Sequence, residues 1–186
     1  MPRANTALEM TDRLDGGDLE DAWKAYEHAF SGLTTRAAQQ HLMTREEFED
    51  VCLDPRWRKY VIRDVDRDGA VGAFGTATYD LSAVFQLSLD FYAARYPRQF
   101  AAGTICYIGC IGVHPTYRSS GAFVTIVEEI CRGIHEQGGV AAIDTCRYND
   151  EQLALPRLVN RITRTFGTEG ERLDTQTYWG YDFSRP

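Results

Sequence analysis

Residues 103–113 carry no charge yet hold Ile105, Tyr107, Ile108, Ile111 and Val113, and this run constrains the chain more than any other part of it. A strand with one wet face alternates polar with apolar residues, so an uncharged run of this length predicts a central strand covered on both faces. Beyond a turn, Phe123, Ile126, Val127, Ile130, Cys131 and Ile134 recur at helical spacing on one face, and Gly138-Gly139 supplies the stop. Residues 140–146 are again short and mostly apolar. Strand, helix and strand in that order predict a right-handed crossover between parallel strands.

The remaining elements arrange themselves around this unit. Residues 7–12 alternate as a half-buried first strand. From Asp18 as N-cap, Leu19, Ala22, Trp23, Tyr26, Ala29 and Phe30 mark one face of a helix ending near Gly32. Thr44 and Glu47 have capping-box spacing, which turns Phe48, Val51 and Cys52 inward. Residues 60–62 and 71–78 predict a hairpin around the turn at 66–69. A helix is predicted over about 82–97, with an aromatic face of Phe85, Phe91 and Tyr92 and with Pro97 as its stop. Asn149 or Asp150 can cap a later helix, where Pro156 marks either a kink or the true first turn. Leu173, Thr175, Thr177, Trp179, Tyr181 and Phe183 alternate as a long terminal strand closing the sheet. The fold class is α/β (α+β): a single mixed, mostly antiparallel sheet with a central parallel strand-helix-strand unit and helices on both faces. Residues 1–186 form one domain, with the helix near 82–97 inserted into it.

Composition narrows the function. A share of 44% hydrophobic and 12% aromatic residues in 186 residues is enough to bury a core. A net charge of -7 with no basic cluster argues against nucleic acid. No apolar run approaches the roughly 20 residues that span a bilayer, and residues 1–5 lack the apolar stretch of a signal peptide, so a cytoplasmic location away from membranes is expected. The cysteines Cys52, Cys106, Cys110, Cys131 and Cys146 have no paired spacing and read as reduced core thiols. Cys106 and Cys110 are expected to share one strand face, which leaves a thiol nucleophile conceivable. His28, His41, His114 and His135 show no metal-pair spacing, and no metal site is expected.

The chemistry concentrates where the central strand meets the helix. A helix N-terminus presents unsatisfied N–H groups and a positive dipole end, so small residues there admit a phosphate. Ser119, Ser120, Gly121 and Ala122 keep the turn small, and Arg118 adds charge or pins the loop. An ordinary strand-turn-helix connection would also use such residues. The segment Arg118-Ser119-Ser120-Gly121-Ala122-Phe123 resembles the cofactor motif of the GNAT superfamily of acyltransferases: Gln or Arg, two residues, Gly, one residue, then Gly or Ala. Phe123 stands where the motif has its last small residue. Upstream, Val113-His114-Pro115 looks like the family's "Val, any, Pro" step before the loop.

This resemblance implies an acetyl-CoA or other acyl-CoA cofactor, with backbone amides of Ser119 through Phe123 on the pyrophosphate. It implies that Ile111 and Val113 align the pantetheine arm through their backbones, and that Asn149 serves as a pantetheine or helix-capping Asn. Transfer to an amine needs a base, a polarising amide and an acid. The Glu and Tyr common in the family are missing, since Leu158 and Val159 occupy the usual Tyr region. Tyr107 and Tyr148 are candidate acids or packing tyrosines. Asp144 is a candidate base or a structural acceptor. Arg157, Arg161 and Arg164 form a basic stripe that can meet phosphates or simply face solvent. The expected activity is acetyl transfer to a small-molecule or N-terminal amine. Two alternatives stay open: an N-acyl synthase using a longer acyl-CoA or an acyl carrier protein donor, and a non-catalytic acyl-CoA-binding module. A homodimer is compatible with the sequence, which does not fix the oligomeric state.

Overall fold

The computed structural model describes residues 5–38 and 42–184. Strands β1 (Thr6–Thr11), β2 (Trp57–Asp64), β3 (Ala70–Thr78), β4 (Ile105–Val113) and β5 (Val140–Ala142) form one sheet in that spatial order. The first four pair antiparallel, and β5 joins β4 in parallel. Helices α1 (Gly16–Phe30) and α2 (Arg45–Leu53) cover one face, and α5 (Ala122–Glu136) covers the other. The mixed sheet with its parallel crossover is the arrangement the sequence predicts.

Two cores follow from the alternation of the strands and from a bulge at Gly72, where the β2–β3 register shifts and brings Val71 onto the face of Phe74. Val61, Val71 and Phe74 point to α1 and α2 and meet Ala22, Ala25, Tyr26, Phe48 and Cys52. Tyr60, Ile62, Ala73, Ala77, Cys106 and Ile108 point the other way and meet Ala122, Ile126, Ile130 and Ile134 of α5. The capping box at α2 forms as predicted, with Thr44 accepting from the Glu47 amide and Glu47 from the Thr44 amide. Lys59 is fully buried, and its Nζ donates to the carbonyls of Asp12 and Asp54 at 2.8 and 2.7 Å. Burial pushes its pKa down to about 8.

Four expectations need correction. Helix α1 starts at Gly16 with Asp15 at its N-cap, so Asp18 lies in the first turn, where its charge suits the helix dipole, and does not cap it. The stretch near 82–97 is a short turn at Leu81–Ala83 followed by two helices, α3 (Leu89–Arg95) and α4 (Pro97–Ala102). Pro97 opens α4 instead of ending a longer helix, because its fixed φ and missing N–H suit a first turn. Tyr92 is buried there, whereas Phe85 is 95% exposed. Neither Asn149 nor Asp150 caps α6 (Leu155–Thr163); both lie in a wide π-type turn at Tyr148–Gln152, and α6 starts after Ala154 with Pro156 in its first turn. Finally, residues 168–182 join no ladder. Leu173 is half-buried, but Trp179 and Tyr181 are exposed. Alternation defines two faces of a strand without supplying an edge for it to pair with.

Candidate active site

The site begins with a bulge in β4. Thr76 faces Cys110 while the next residue, Ala77, faces Ile108, so Gly109 is the extra residue. A side chain at Gly109 would lie 2.7 Å from the Trp57 ring and 2.8 Å from Thr76 Oγ1, which is why glycine stands there. Thr76 Oγ1 accepts from the displaced Cys110 amide at 3.2 Å, satisfying the donor that the bulge frees. The bulge also swaps faces. Cys106 packs on the α5 side and Cys110 against the α1–α2 core, so the two thiols do not share a face as expected from simple alternation. Burial pushes the Cys106 and Cys110 thiols up to about 12 and 11, which holds them protonated at neutral pH and leaves no thiolate nucleophile.

The bulge coincides with the parting of β4 from β5. Their ladder covers only Ile105, Cys106 and Tyr107 against Val140, Ala141 and Ala142. Ile111 and Val113 therefore lie on a length of β4 that β5 no longer pairs, where an extended ligand can hydrogen-bond to backbone groups.

At the far end of that edge sits the small-residue turn. Residues Pro115–Tyr117 form one tight turn, and Tyr117 is buried against Gly72, where a Cβ would come within 2.8 Å of the ring. Its hydroxyl donates to the buried Asp64 carboxylate. Ser120 Oγ donates to the Tyr117 carbonyl at 2.7 Å and accepts from the Ala122 amide at 3.2 Å. Gly121, the N-cap of α5, takes a left-handed φ of 85° that favours glycine, and the space where a side chain would stand is open. Arg118 and Ser119 are exposed. Phe123 packs beside Val127 and Ile162, in the seam between α5 and α6. The turn thus fits an anionic group: first-turn donors, open space and no acidic side chain on residues 118–123.

Of the other predicted residues, the structure brings Tyr107 and Asp144 together. Tyr107 is buried, packs edge-on to Trp57 and donates its hydroxyl to the Asp144 carboxylate. Gln86 Nε2 reaches the same hydroxyl at 3.3 Å. Burial, then the Asp144 charge, push the Tyr107 phenol strongly up. Tyr148 belongs to a different pair: Arg36 Nη1 donates to its hydroxyl at 2.8 Å and the guanidinium stacks 4.7 Å from the ring. Arg157, Arg161 and Arg164 are exposed, and Arg164 pairs with Glu169 at 2.6 Å.

Sequence reasoning missed Trp57, Thr76, Gln86, Gly109 and Arg36. Glycines within an otherwise apolar strand were the available signal for the bulge. Arg36 and Gln86 meet their tyrosines across 112 and 21 residues, and nothing local announces such contacts.

Among the described residues no cluster of His, Cys, Asp or Glu could hold a metal, and no helix is long and apolar enough to cross a membrane. No protein-family model matches the sequence, and no curated protein sequence matches it. Solved structures do resemble it. An aminoglycoside acetyltransferase from an uncultured soil metagenomic sample, in complex with sisomicin, superposes with a TM-score of 0.51 at 12% identity, covering 95% of this chain and 97% of that one. A ribosomal-protein-alanine N-acetyltransferase from Brucella melitensis biovar Abortus 2308 gives 0.50 at 12% identity, over 95% and 99%. An aminoglycoside N-acetyltransferase in complex with CoA gives 0.50 at 16% identity, over 96% and 98%. The chain has the fold of the GNAT N-acetyltransferases.

Proposed function

We propose that this chain is an acyl-CoA-dependent N-acyltransferase that moves an acetyl group to the amine of a small molecule or an amino terminus by direct attack. One observation carries the reading: the unpaired edge of β4 leads, through the single turn at Pro115–Tyr117, to the open turn at Gly121. Backbone amides of Ser119, Gly121 and Phe123 receive the pyrophosphate, since those of Ser120 and Ala122 donate to the Tyr117 carbonyl and the Ser120 hydroxyl, with Arg118 beside them. Ile111 and Val113 backbone groups align the pantetheine arm, and the Asn149 side chain assists it. The cofactor supplies an acyl thioester, a carbonyl activated toward attack.

The remaining roles fall to this chain's side chains. Asp144 takes a proton from the acceptor amine. Tyr107, whose hydrogen is committed to that carboxylate, positions Asp144. The Tyr148 hydroxyl accepts from Arg36, so its own hydrogen is free to go to the leaving thiolate. Free thiols at all five cysteines suit a reducing compartment, and we place the chain in the cytoplasm.

Titration calorimetry with CoA, together with a free-thiol assay on acetyl-CoA and a pool of amines, tests the reading. Thiol release that depends on the amine is expected. Binding without release for every amine would leave only a sensor, and no binding at all would remove the cofactor site. Gly121→Glu, which puts bulk and negative charge against the diphosphate, is expected to weaken CoA binding by about a hundredfold or more; unchanged affinity rejects the site.

A further inference from the structure

The turn that follows Leu81–Ala83 inverts the usual rule of what faces inward. Phe85 is 95% exposed, while the amide of its neighbour Gln86 is turned onto the buried Tyr107 hydroxyl, to which Nε2 donates at 3.3 Å. Burying the Phe85 ring instead would remove about 150–250 Å² of aromatic surface from water. The sequence gives up that apolar burial at the place where it gains this polar contact. The turn is held on both sides of Gln86. Val84 is buried, Leu87 is half-buried, and the Leu87 amide donates to the Val84 carbonyl at 3.1 Å.

The contact continues into the proposed site. The Tyr107 hydroxyl has one hydrogen, which it donates to the Asp144 carboxylate, and it accepts from Gln86. Amide, phenol and carboxylate thus form a directional chain in which each bond polarises the next. The Gln86 amide takes the donor's role there, because an amide oxygen facing the phenol would compete for the hydrogen that Asp144 holds. The same segment flanks the carboxylate a second time. Tyr92 of α3 is buried in the core that contains Tyr107, and burial, then the Asp144 charge, push its phenol up.

We infer that Gln86 is a positioning residue of the acyl transfer, acting through Tyr107 to hold the Asp144 carboxylate, so that the segment between β3 and β4 is a working part of the active site. Without this donor the Tyr107 hydroxyl is held from one side only; with it, the hydrogen has a single direction. The inference rests on the proposed reaction, in which Asp144 takes the proton of the acceptor amine, and adds to it the residue that fixes the geometry of that base.

Steady-state kinetics of amine-dependent thiol release by Gln86 variants of the full chain is the test. Gln86→Ala is expected to lower kcat about fivefold to tenfold, the worth of one hydrogen bond, with KM for acetyl-CoA unchanged. Gln86→Met, similar in length but without a donor, is expected to match it. Gln86→Glu, equal in shape but presenting a carboxylate that draws the Tyr107 hydrogen away from Asp144, is expected to lose more. In a Tyr107→Phe background, Gln86→Ala is expected to change nothing further. Full activity in Gln86→Met overturns the proposal, since packing alone would then account for the side chain. So does the same fold-loss with and without the Tyr107 hydroxyl, or a rise in KM that accounts for the whole loss in kcat/KM. Should Gln86→Ala or Gln86→Met fold poorly by circular dichroism, Gln86→Glu decides, and wild-type kcat in that variant refutes the positioning role. Failure of this inference and failure of the reaction look different. A wild-type chain that turns over, with Gln86 variants its equal, removes the inference and leaves the reaction standing; a wild-type chain that releases no thiol with any amine removes both.

Discussion

The unit from β4 through α5 and the stretch after Gly167 have equally regular sequence patterns and opposite fates. In the first, each apolar position meets a partner: Cys106 and Ile108 reach Ile126 and Ile130, and Tyr107 reaches Trp57. In the second, an alternation just as clean ends with Trp179 and Tyr181 in solvent. Periodicity states which face a segment needs to cover; the cover itself comes from elsewhere in the chain or from another molecule.

Removing a large side chain from the packed region gives the biggest contrast. Phe74 is fully buried on β3 with its ring edge-on to Phe48, so Phe74→Ala is expected to cost about 3–5 kcal/mol of unfolding free energy in a denaturant titration, the cavity left behind adding to the lost transfer energy. A loss under about 1 kcal/mol would erase the distinction between the two regions.

Alkaline pH probes the same contrast without mutation. Cys52 and Cys106 are raised by burial from 9.0 to about 12, so between pH 9 and 12 the unfolded chain loses thiol protons that the folded chain retains, and stability falls. Each thiol accounts for about 1.4 kcal/mol per pH unit in that window. Lys59 opposes this between about pH 8 and 10.5, since its depressed pKa makes the folded state gain as the pH rises. Urea midpoints are expected to drop from pH 9 to pH 10; a flat profile contradicts the thiol burial.

Smaller effects sharpen the boundary. Gly109→Val forces a side chain onto Trp57 and Thr76, and is expected to cost about 1–3 kcal/mol while also disturbing the free edge of β4, so CoA affinity falls with it. Stability loss with affinity intact would separate the bulge from the site. Trp179→Ala is expected to move stability by no more than about 0.5 kcal/mol, because the ring touches little of its own domain.

Much of the fold was legible because it is local. The uncharged strand, the amphipathic helix after it, the Thr44 capping box and the hairpin turn are all written in neighbouring residues. What stayed hidden depends on residues meeting across the chain. Gly109 becomes a bulge only because Trp57 occupies its far side, and Cys110 changes face as a result. Pro97 was ambiguous, since proline ends one helix and begins another with the same ring. At the site, the small-residue turn was visible as a motif, and Tyr107, Asp144 and Tyr148 were named individually. Their pairing into Tyr107–Asp144 and Arg36–Tyr148 was not, because hydrogen-bond partners at such separations leave no trace in spacing.

Planting the Tyr117 ring in the notch at Gly72 has one more outcome. The loop inherits its position from the sheet floor and does not wait for an incoming anion to organise it, so association forfeits little chain entropy there. Binding at that corner, as proposed above, would be rigid-body docking onto the amides of Ser119, Gly121 and Phe123, with little rearrangement of the loop itself.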